Sequence, residues 1–251
     1  MNLDERGQVI AIASGKGGVG KTFFSITLAH QLAALGQRVL LFDGDIGLAN
    51  IDVQLGISPE RDLASVFSGK ATLEEVIMPY KPGKFDIVAG RSGSGGLALL
   101  PASNLKAFTH ELMVAAQAYD FLLLDLSAGV DPHVRTLSAI SDRCLVLVTD
   151  EPTSLTDSYA FLKLTHKDTP EVRLEVVVNQ AESKTEGEQT YRAISKACQS
   201  FLNMTPPLLG MIRKDPRVRE AVRHQTALTT RSPESPAALD VEAIAKRLVN
   251  D

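Results

Sequence analysis

The chain opens with an apolar run, Val9-Ile10-Ala11-Ile12-Ala13, passes through small and polar residues, and enters a second apolar-periodic segment from Phe23 to Leu35. A short continuous run reads as a strand buried on both faces, and apolar residues recurring every three or four positions read as one face of a helix. The alternation then repeats. Strands are predicted at 38–42, 85–89, 121–124, 144–148, 172–178 and 208–212, the last two separated by a helix over 188–201. Further helical periods fall at 62–67, 72–77, 105–118, 155–164 and 237–249, with helix starts at Asp131-Pro132 and after Asp215. Pro79 to Gly83 reads as a turn, as does Pro206-Pro207. Strands alternating with helices predict an α/β fold with a doubly wound, mostly parallel sheet of about seven or eight strands and right-handed crossovers.

No repeat, low-complexity tract or internal linker interrupts this pattern. With 251 residues, 44% hydrophobic and 22% charged, the chain fits a single domain over 1–251. Its net charge of −4 argues against a generally basic protein that coats DNA, leaving only local basic patches. Cys144 and Cys198 form no C-x-x-C pair, so neither a zinc site nor a disulfide framework is expected. The opening stretch Met1 to Gly7 has no signal-peptide character, and no apolar run nears the roughly 20 residues needed to span a bilayer. A soluble, cytoplasmic protein is the expectation.

The strongest chemistry lies between the first strand and the first helix. Gly15-Lys16-Gly17-Gly18-Val19-Gly20-Lys21-Thr22 fits the G-x-x-x-x-G-K-[ST] phosphate loop, whose small residues let backbone N–H groups curve around a polyphosphate at a helix N-terminus. Lys21 is then expected to reach the β- and γ-phosphates, and the Thr22 hydroxyl to ligate Mg²⁺. Phosphate cradling does not require Lys16. The second strand ends in Asp43-Gly44-Asp45, where carboxylates project into the crevice at the strand ends and face the loop; a solvated turn is the plainer alternative. The strand at 121–124 ends in Asp125, the Walker B pattern for a carboxylate that holds Mg²⁺ through water. Gly129, just beyond it, is expected to present a free N–H toward a γ-phosphate.

Other segments leave alternatives open. Ile46 to Gly56 has no clean period and reads as a mobile switch segment, and the glycine-rich stretch at 90–96 reads as a surface loop rather than a second phosphate site. Asn179, at a strand end, is either a turn former or a hydrogen-bonding partner for an adenine edge. From Arg213 to Arg219 four of seven residues are basic, which marks a solvated face, a loop over a base or a contact for an acidic partner. Thr149 to Ser154 supplies capping residues for the helix that follows, and the apolar positions of 237–249 are expected to pack on the core rather than lie on a membrane.

These residues together resemble the MinD/ParA class of P-loop ATPases. Gly15 to Thr22 is similar to that class's deviant Walker A loop, marked by the extra lysine, and Phe42-Asp43-Gly44-Asp45-Ile46-Gly47-Leu48-Ala49-Asn50-Ile51-Asp52 resembles the switch I of the MinD-like branch. Asp150-Glu151-Pro152-Thr153-Ser154-Leu155-Thr156-Asp157-Ser158-Tyr159-Ala160 is similar to the corresponding segment of the flagellar number regulators, FleN or FlhG. The resemblance implies an ATP- and Mg²⁺-binding protein that hydrolyses ATP slowly and dimerises with ATP sandwiched between two copies. It implies that Lys16 reaches the partner's phosphates, that Lys21 binds phosphates in its own subunit, and that Asp45 orients or activates the attacking water. Thr22 would ligate Mg²⁺ with Asp43 and Asp125 in its water shell, and Gly15, Gly17, Gly18, Val19, Gly20 and Phe23 would complete the phosphate side. Asn179, Arg213 and Asp215 would stand on the adenine side, with Arg213 where relatives usually carry proline and Leu126 where threonine is common.

The partners implied are a second copy of the chain and a flagellar transcription activator of the AAA+ type. The GTPase FlhF stands behind these, because the N-terminal stretch lacks the glutamine-containing helix by which some FlhG proteins stimulate it. The C-terminal segment shows no basic membrane-targeting helix, so membrane association is weakly supported, and direct nucleic-acid binding is not expected. The alternative is a ParA- or MinD-type positioning ATPase acting on DNA or membrane; iron–sulfur carriers of the same superfamily are disfavoured because their bridging cysteines are missing.

Overall fold

The structure, a computed structural model, describes residues 7–45, 50–90 and 102–251. Eight strands form one sheet: β1 (Gln8–Ala13), β2 (Val39–Gly44), β3 (Ile77–Tyr80), β4 (Phe85–Val88), β5 (Phe121–Leu126), β6 (Arg143–Val148), β7 (Arg173–Ala181) and β8 (Leu208–Arg213). Their spatial order is β3-β4-β2-β5-β1-β6-β7-β8, and every pairing is parallel except β3 with β4. The chain leaves β1 toward one edge, returns to insert β5 beside it, and then continues to the other edge through β6. Strand order thus reverses at the C-terminal end of β1, the position where open parallel sheets bind ligands.

Eleven α-helices are described: α1 (Lys21–Ala34), α2 (Ile51–Leu55), α3 (Leu63–Phe67), α4 (Leu73–Val76), α5 (Ala102–Ala115), α6 (Pro132–Ser138), α7 (Pro152–Asp168), α8 (Lys184–Leu202), α9 (Pro216–Arg223), α10 (Leu228–Arg231) and α11 (Pro236–Asn250). The alternating pleat of β1 shows why the sheet is covered on both faces. Ile10 and Ile12 enter one core with Phe24, Leu28 and Leu32 of α1 and Val241, Ile244 and Leu248 of α11. Val9, Ala11 and Ala13 enter the other with Phe108 and Leu112 of α5, Phe161 and Leu162 of α7 and Cys198 of α8. Each side chain pointing away from one core lands in the other, which accounts for the continuous apolar runs of the central strands. The apolar face of α11 is consumed in the core, as its spacing predicted.

Several local expectations need correction. The segment read as a turn around Pro79 is the four-residue edge strand β3, in which Pro79 stands opposite Asp86; proline is tolerated at an edge, where its missing N–H has no ladder partner to lose. The reversal comes afterwards, with the N–H groups of Gly83 and Lys84 both bonded to the Tyr80 carbonyl. Part of the segment read as switch is helix: Ile51 and Leu55, four residues apart, are buried, and Gly56 ends α2 in the left-handed region with φ 62°. Residues 46–49 of that segment and 91–96 of the second glycine-rich stretch lie outside the described residues. β7 runs past Asn179 to Ala181, with its register against β8 broken after Val178 and Gln180 at φ 60°.

Candidate functional site

The seven-residue loop between β1 and α1 is held by close approaches that only glycine allows. A Cβ on Gly15 would stand 2.0 Å from the Asp157 carbonyl carbon and 2.3 Å from the Ser158 nitrogen, so the loop starts directly on the α7 backbone. Gly20 has φ 95°, and a Cβ there would meet the Asn179 amide nitrogen at 2.6 Å. Nothing lies within 4 Å of the Cβ positions of Gly17 and Gly18, which leave the crown of the loop open to the cavity. Asn179, 3% exposed, donates from Nδ2 to the Val19 carbonyl at 2.7 Å and accepts from the Gln180 N–H at 2.9 Å. It therefore fastens the loop to β7 while also lining the cavity.

Helix α1 begins at Lys21 with no side-chain cap and no acidic residue in its first turn. Its leading N–H groups and positive dipole end are thus available to an anion. The Lys21 ammonium, on a residue only 9% exposed, donates to Ser14 Oγ at 3.0 Å, and Ser14 donates in turn to the Lys16 carbonyl at 2.7 Å. Burial lowers the Lys21 pKa, opposed by the charges of Asp125 and Asp45. Asp125 ends β5 at 1% exposure, hydrogen-bonded by Thr22 and by Ser25 Oγ at 2.9 Å. Its carboxyl is pushed up to about 6, chiefly by burial, with the Thr22 bond and the Lys21 charge pulling it back.

Asp43, in register with Asp125 across the β2–β5 pair, is equally buried but has a different set of partners. Its oxygens accept the backbone N–H groups of Asp45 at 3.2 Å, Asn50 at 3.1 Å and Ile51 at 3.2 Å. Burial raises its pKa well above the usual range, with Asp125 adding to the rise and the three N–H bonds opposing it. Gly129 corrects an expectation: its N–H is not free but donates to the Ser14 carbonyl at 2.9 Å, tying the end of β5 to the start of the loop.

An open cavity of about 790 Å³ spreads from these groups toward β8 and α9. Gly17, Gly18, Gly20, Lys21, Thr22, Phe23 and Asp45 line one side, and Asn179, Arg213 and Asp215 line the other. Asp215 caps α9, accepting from Arg217 N–H at 3.0 Å, and also takes the Ala237 N–H at 3.3 Å. The Arg213 guanidinium is engaged with Asp240 at 2.8 and 2.9 Å, and this contact raises its pKa. Val19, by contrast, packs into the core, and Gly15 and Lys16 lie outside the cavity lining. The Lys16 ammonium contacts the Glu151 carboxylate and Thr153 Oγ1, the latter at 2.8 Å, at the start of α7 with a third of its side chain exposed. Glu151, expected only to cap α7, makes no side-chain cap bond and holds Lys16 instead.

Sequence reasoning missed Ser14, Ser25, Asn50, Gln54, Arg219 and Arg223. Ser14 and Ser25 serve Lys21 and Asp125, and the other four line the cavity. Arg219 and Arg223 carry the one readable signal, a spacing of three and then four from Pro216 that puts all three on one face of α9. No cluster of three or more His, Cys, Asp or Glu that could hold a metal occurs among the described residues. A Mg²⁺ held mainly by phosphates, Thr22 and water needs no such cluster, so the donor set fits a nucleotide-borne ion.

The profile of the CobQ/CobB/MinD/ParA nucleotide binding domain matches residues 10–228. The antiactivator FleN of Pseudomonas aeruginosa is 38% identical over 96% of this chain and 86% of its own length. The flagellum site-determining protein YlxH of Helicobacter pylori is 32% identical over 99% of this chain and 84% of its own. The septum site-determining protein MinD of Pyrococcus horikoshii, solved in complex with Mg-ADP, superposes with a TM-score of 0.82 at 25% identity, covering 96% of this chain and 95% of that one.

Proposed function

Because the chain belongs to the CobQ/CobB/MinD/ParA nucleotide-binding family, we propose that it is a slow, Mg²⁺-dependent ATPase that switches between a monomer and an ATP-bound sandwich dimer. Its ATP-bound dimer binds a flagellar master transcription activator of the AAA+ type and thereby limits flagellar number. Lys21, Thr22 and the free N-terminus of α1 hold the triphosphate, Asp125 stands on the Mg²⁺ side, and Asp45 orients the attacking water. The nucleotide supplies the phosphoryl group and carries the metal; the protein supplies position and charge, which is most of what phosphoryl transfer needs.

The observation that carries the dimer is the place of Lys16. A lysine within the phosphate loop whose ammonium lies outside its own cavity, a third exposed and paired only with the exposed Glu151 and Thr153, can exchange those partners for a phosphate held by another copy. A cation supplied from the partner makes hydrolysis depend on association. The likeness to FleN and YlxH supports the flagellar role. Light scattering on Asp45→Ala with ADP and then ATP, followed by capture of the activator by each form, tests both halves. The expected result is a monomer in ADP, a dimer in ATP and capture by the dimer; a monomer in both states, with no ATP-dependent partner, refutes the proposal.

One feature favours a second reading, a positioning ATPase acting on DNA. Arg213 and Lys214 are paired with Asp240 and Glu182, whereas Arg217, Arg219 and Arg223 form no ion pair among the described residues. Retention on DNA in the ATP state that falls steeply with salt would establish it.

A further inference from the structure

The two buried aspartates near the ends of neighbouring strands stand in register, yet their partners separate them. Asp125 is bonded by side chains of α1, Thr22 and Ser25, and feels the Lys21 charge. Asp43 is bonded by three backbone N–H groups, those of Asp45, Asn50 and Ile51, and no side chain donates to it among the described residues. A carboxylate offers about four lone-pair positions, so three are already taken. Two of the donors, Asn50 and Ile51, stand at the start of α2, whose own N-cap residue makes no side-chain bond. The five-residue α2 is therefore capped from β2, across seven to eight residues of chain. Its far end is held separately, by Gln225 Nε2 donating to the Val53 carbonyl at 3.2 Å and by Gly56 packed on Gln225.

We propose that Asp43 is a positioning residue: by gathering the N–H groups of Asp45, Asn50 and Ile51 onto one carboxylate it sets where the Asp45 side chain stands, while Asp125 alone of the two serves the Mg²⁺ side. The assignment rests on the ATPase reading for the role of Asp45, but the contact itself is made by protein groups alone. Loss of Asp43 then releases the backbone that carries Asp45 without changing the affinity for Mg²⁺. Loss of Asp125 does the reverse.

Amide hydrogen exchange followed by NMR on the nucleotide-free protein in EDTA reads the contact directly. Asn50 and Ile51 are expected to be protected in the wild type, to exchange at least tenfold faster in Asp43→Ala, and to remain protected in Asp125→Asn. In turnover assays Asp43→Ala should lose at least tenfold in kcat, with its half-saturating Mg²⁺ concentration within twofold of wild type. Asp125→Asn should instead need at least tenfold more Mg²⁺. Unchanged exchange at Asn50 and Ile51 in Asp43→Ala, or a raised Mg²⁺ requirement in that variant, overturns the proposal. Should Asp43→Ala fail to fold, unprotected Asn50 and Ile51 amides in the wild type in EDTA overturn it equally, and protected ones support it. A wild type that shows the protection but hydrolyses no ATP refutes the ATPase reading and leaves the positioning contact standing.

Discussion

Gly15 and Gly17 lie two residues apart in the same loop, and replacing each by alanine separates two reasons for a glycine. At Gly15 the added methyl would stand 2.0, 2.2 and 2.3 Å from the Asp157 carbonyl carbon, the Asp157 oxygen and the Ser158 nitrogen. All three are backbone atoms of α7, so no side-chain rotation relieves the clash, and the loop and helix must separate by more than about 1 Å to reach carbon contact distances of about 3.5 Å. Overpacking of this kind costs about 1–3 kcal/mol where side chains can adjust; with backbone on both sides the upper end, about 3 kcal/mol, is expected. For a chain of this length that corresponds to a fall in Tm of about 6–12 °C. At Gly17 the methyl meets nothing within 4 Å and projects into the cavity, so stability should hold within about 0.5 kcal/mol while phosphate binding suffers. Thermal and urea unfolding of both variants, paired with nucleotide titration, checks the contrast. A Gly15→Ala protein that melts within 2 °C of wild type, or a Gly17→Ala protein that falls as far, refutes the assignment.

Three further outcomes follow from the site and the core. Lys21→Ala should lose tight nucleotide binding by titration calorimetry, whereas Lys16→Ala, whose side chain lies outside the cavity, should keep ATP binding within a few-fold and fail to dimerise in light scattering. Asp125 in the folded, Mg²⁺-free protein holds its proton up to about pH 6 against 3.8 for an ordinary aspartate, so between those values the folded state binds the extra proton and stability falls as pH rises. The Asp125→Asn variant should lack that loss, and comparing the two by urea unfolding at pH 4 and pH 7 should expose a difference of about 3 kcal/mol. Arg143 and Glu175, each almost fully buried, pair through bonds of 2.7 and 3.0 Å at the N-terminal ends of β6 and β7. Arg143→Ala leaves the buried carboxylate with only the half-exposed Arg173, 3.3 Å away, and should cost about 3 kcal/mol in urea unfolding, and pairing Arg143→Met with Glu175→Leu should recover most of it.

What the sequence made legible was whatever acts locally. The runs at β1, β2, β5 and β6 are apolar because both sheet faces are covered, and that pattern sits in consecutive residues. The phosphate loop is eight consecutive residues, and Asp43 and Asp125 declare themselves by ending such runs. The failures are tertiary. Pro79 argued for a turn because its tolerance in β3 depends on that strand being an edge, which the segment alone does not reveal. The hold of Glu151 on Lys16 joins residues 135 positions apart, and the Gly129 N–H looked free because its partner, Ser14, belongs to another strand end. The basic run from Arg213 to Arg219 left a solvated face, a loop over a base and a partner contact all open, because nothing in α9 itself says that one of its faces looks into a cavity.

The fastening of the phosphate loop bears on the kinetics of nucleotide capture. Its start is pressed on the α7 backbone at Gly15 and its end is clasped by Asn179 through Val19 and Gly20. Fixing a residue's backbone costs about 1–2 kcal/mol, and for this loop that entropy is lost during folding rather than at the encounter with ligand. Triphosphate binding is thus a single-step capture by a preformed cradle: observed rates should climb in proportion to ATP concentration, without the plateau that a loop-ordering step would impose.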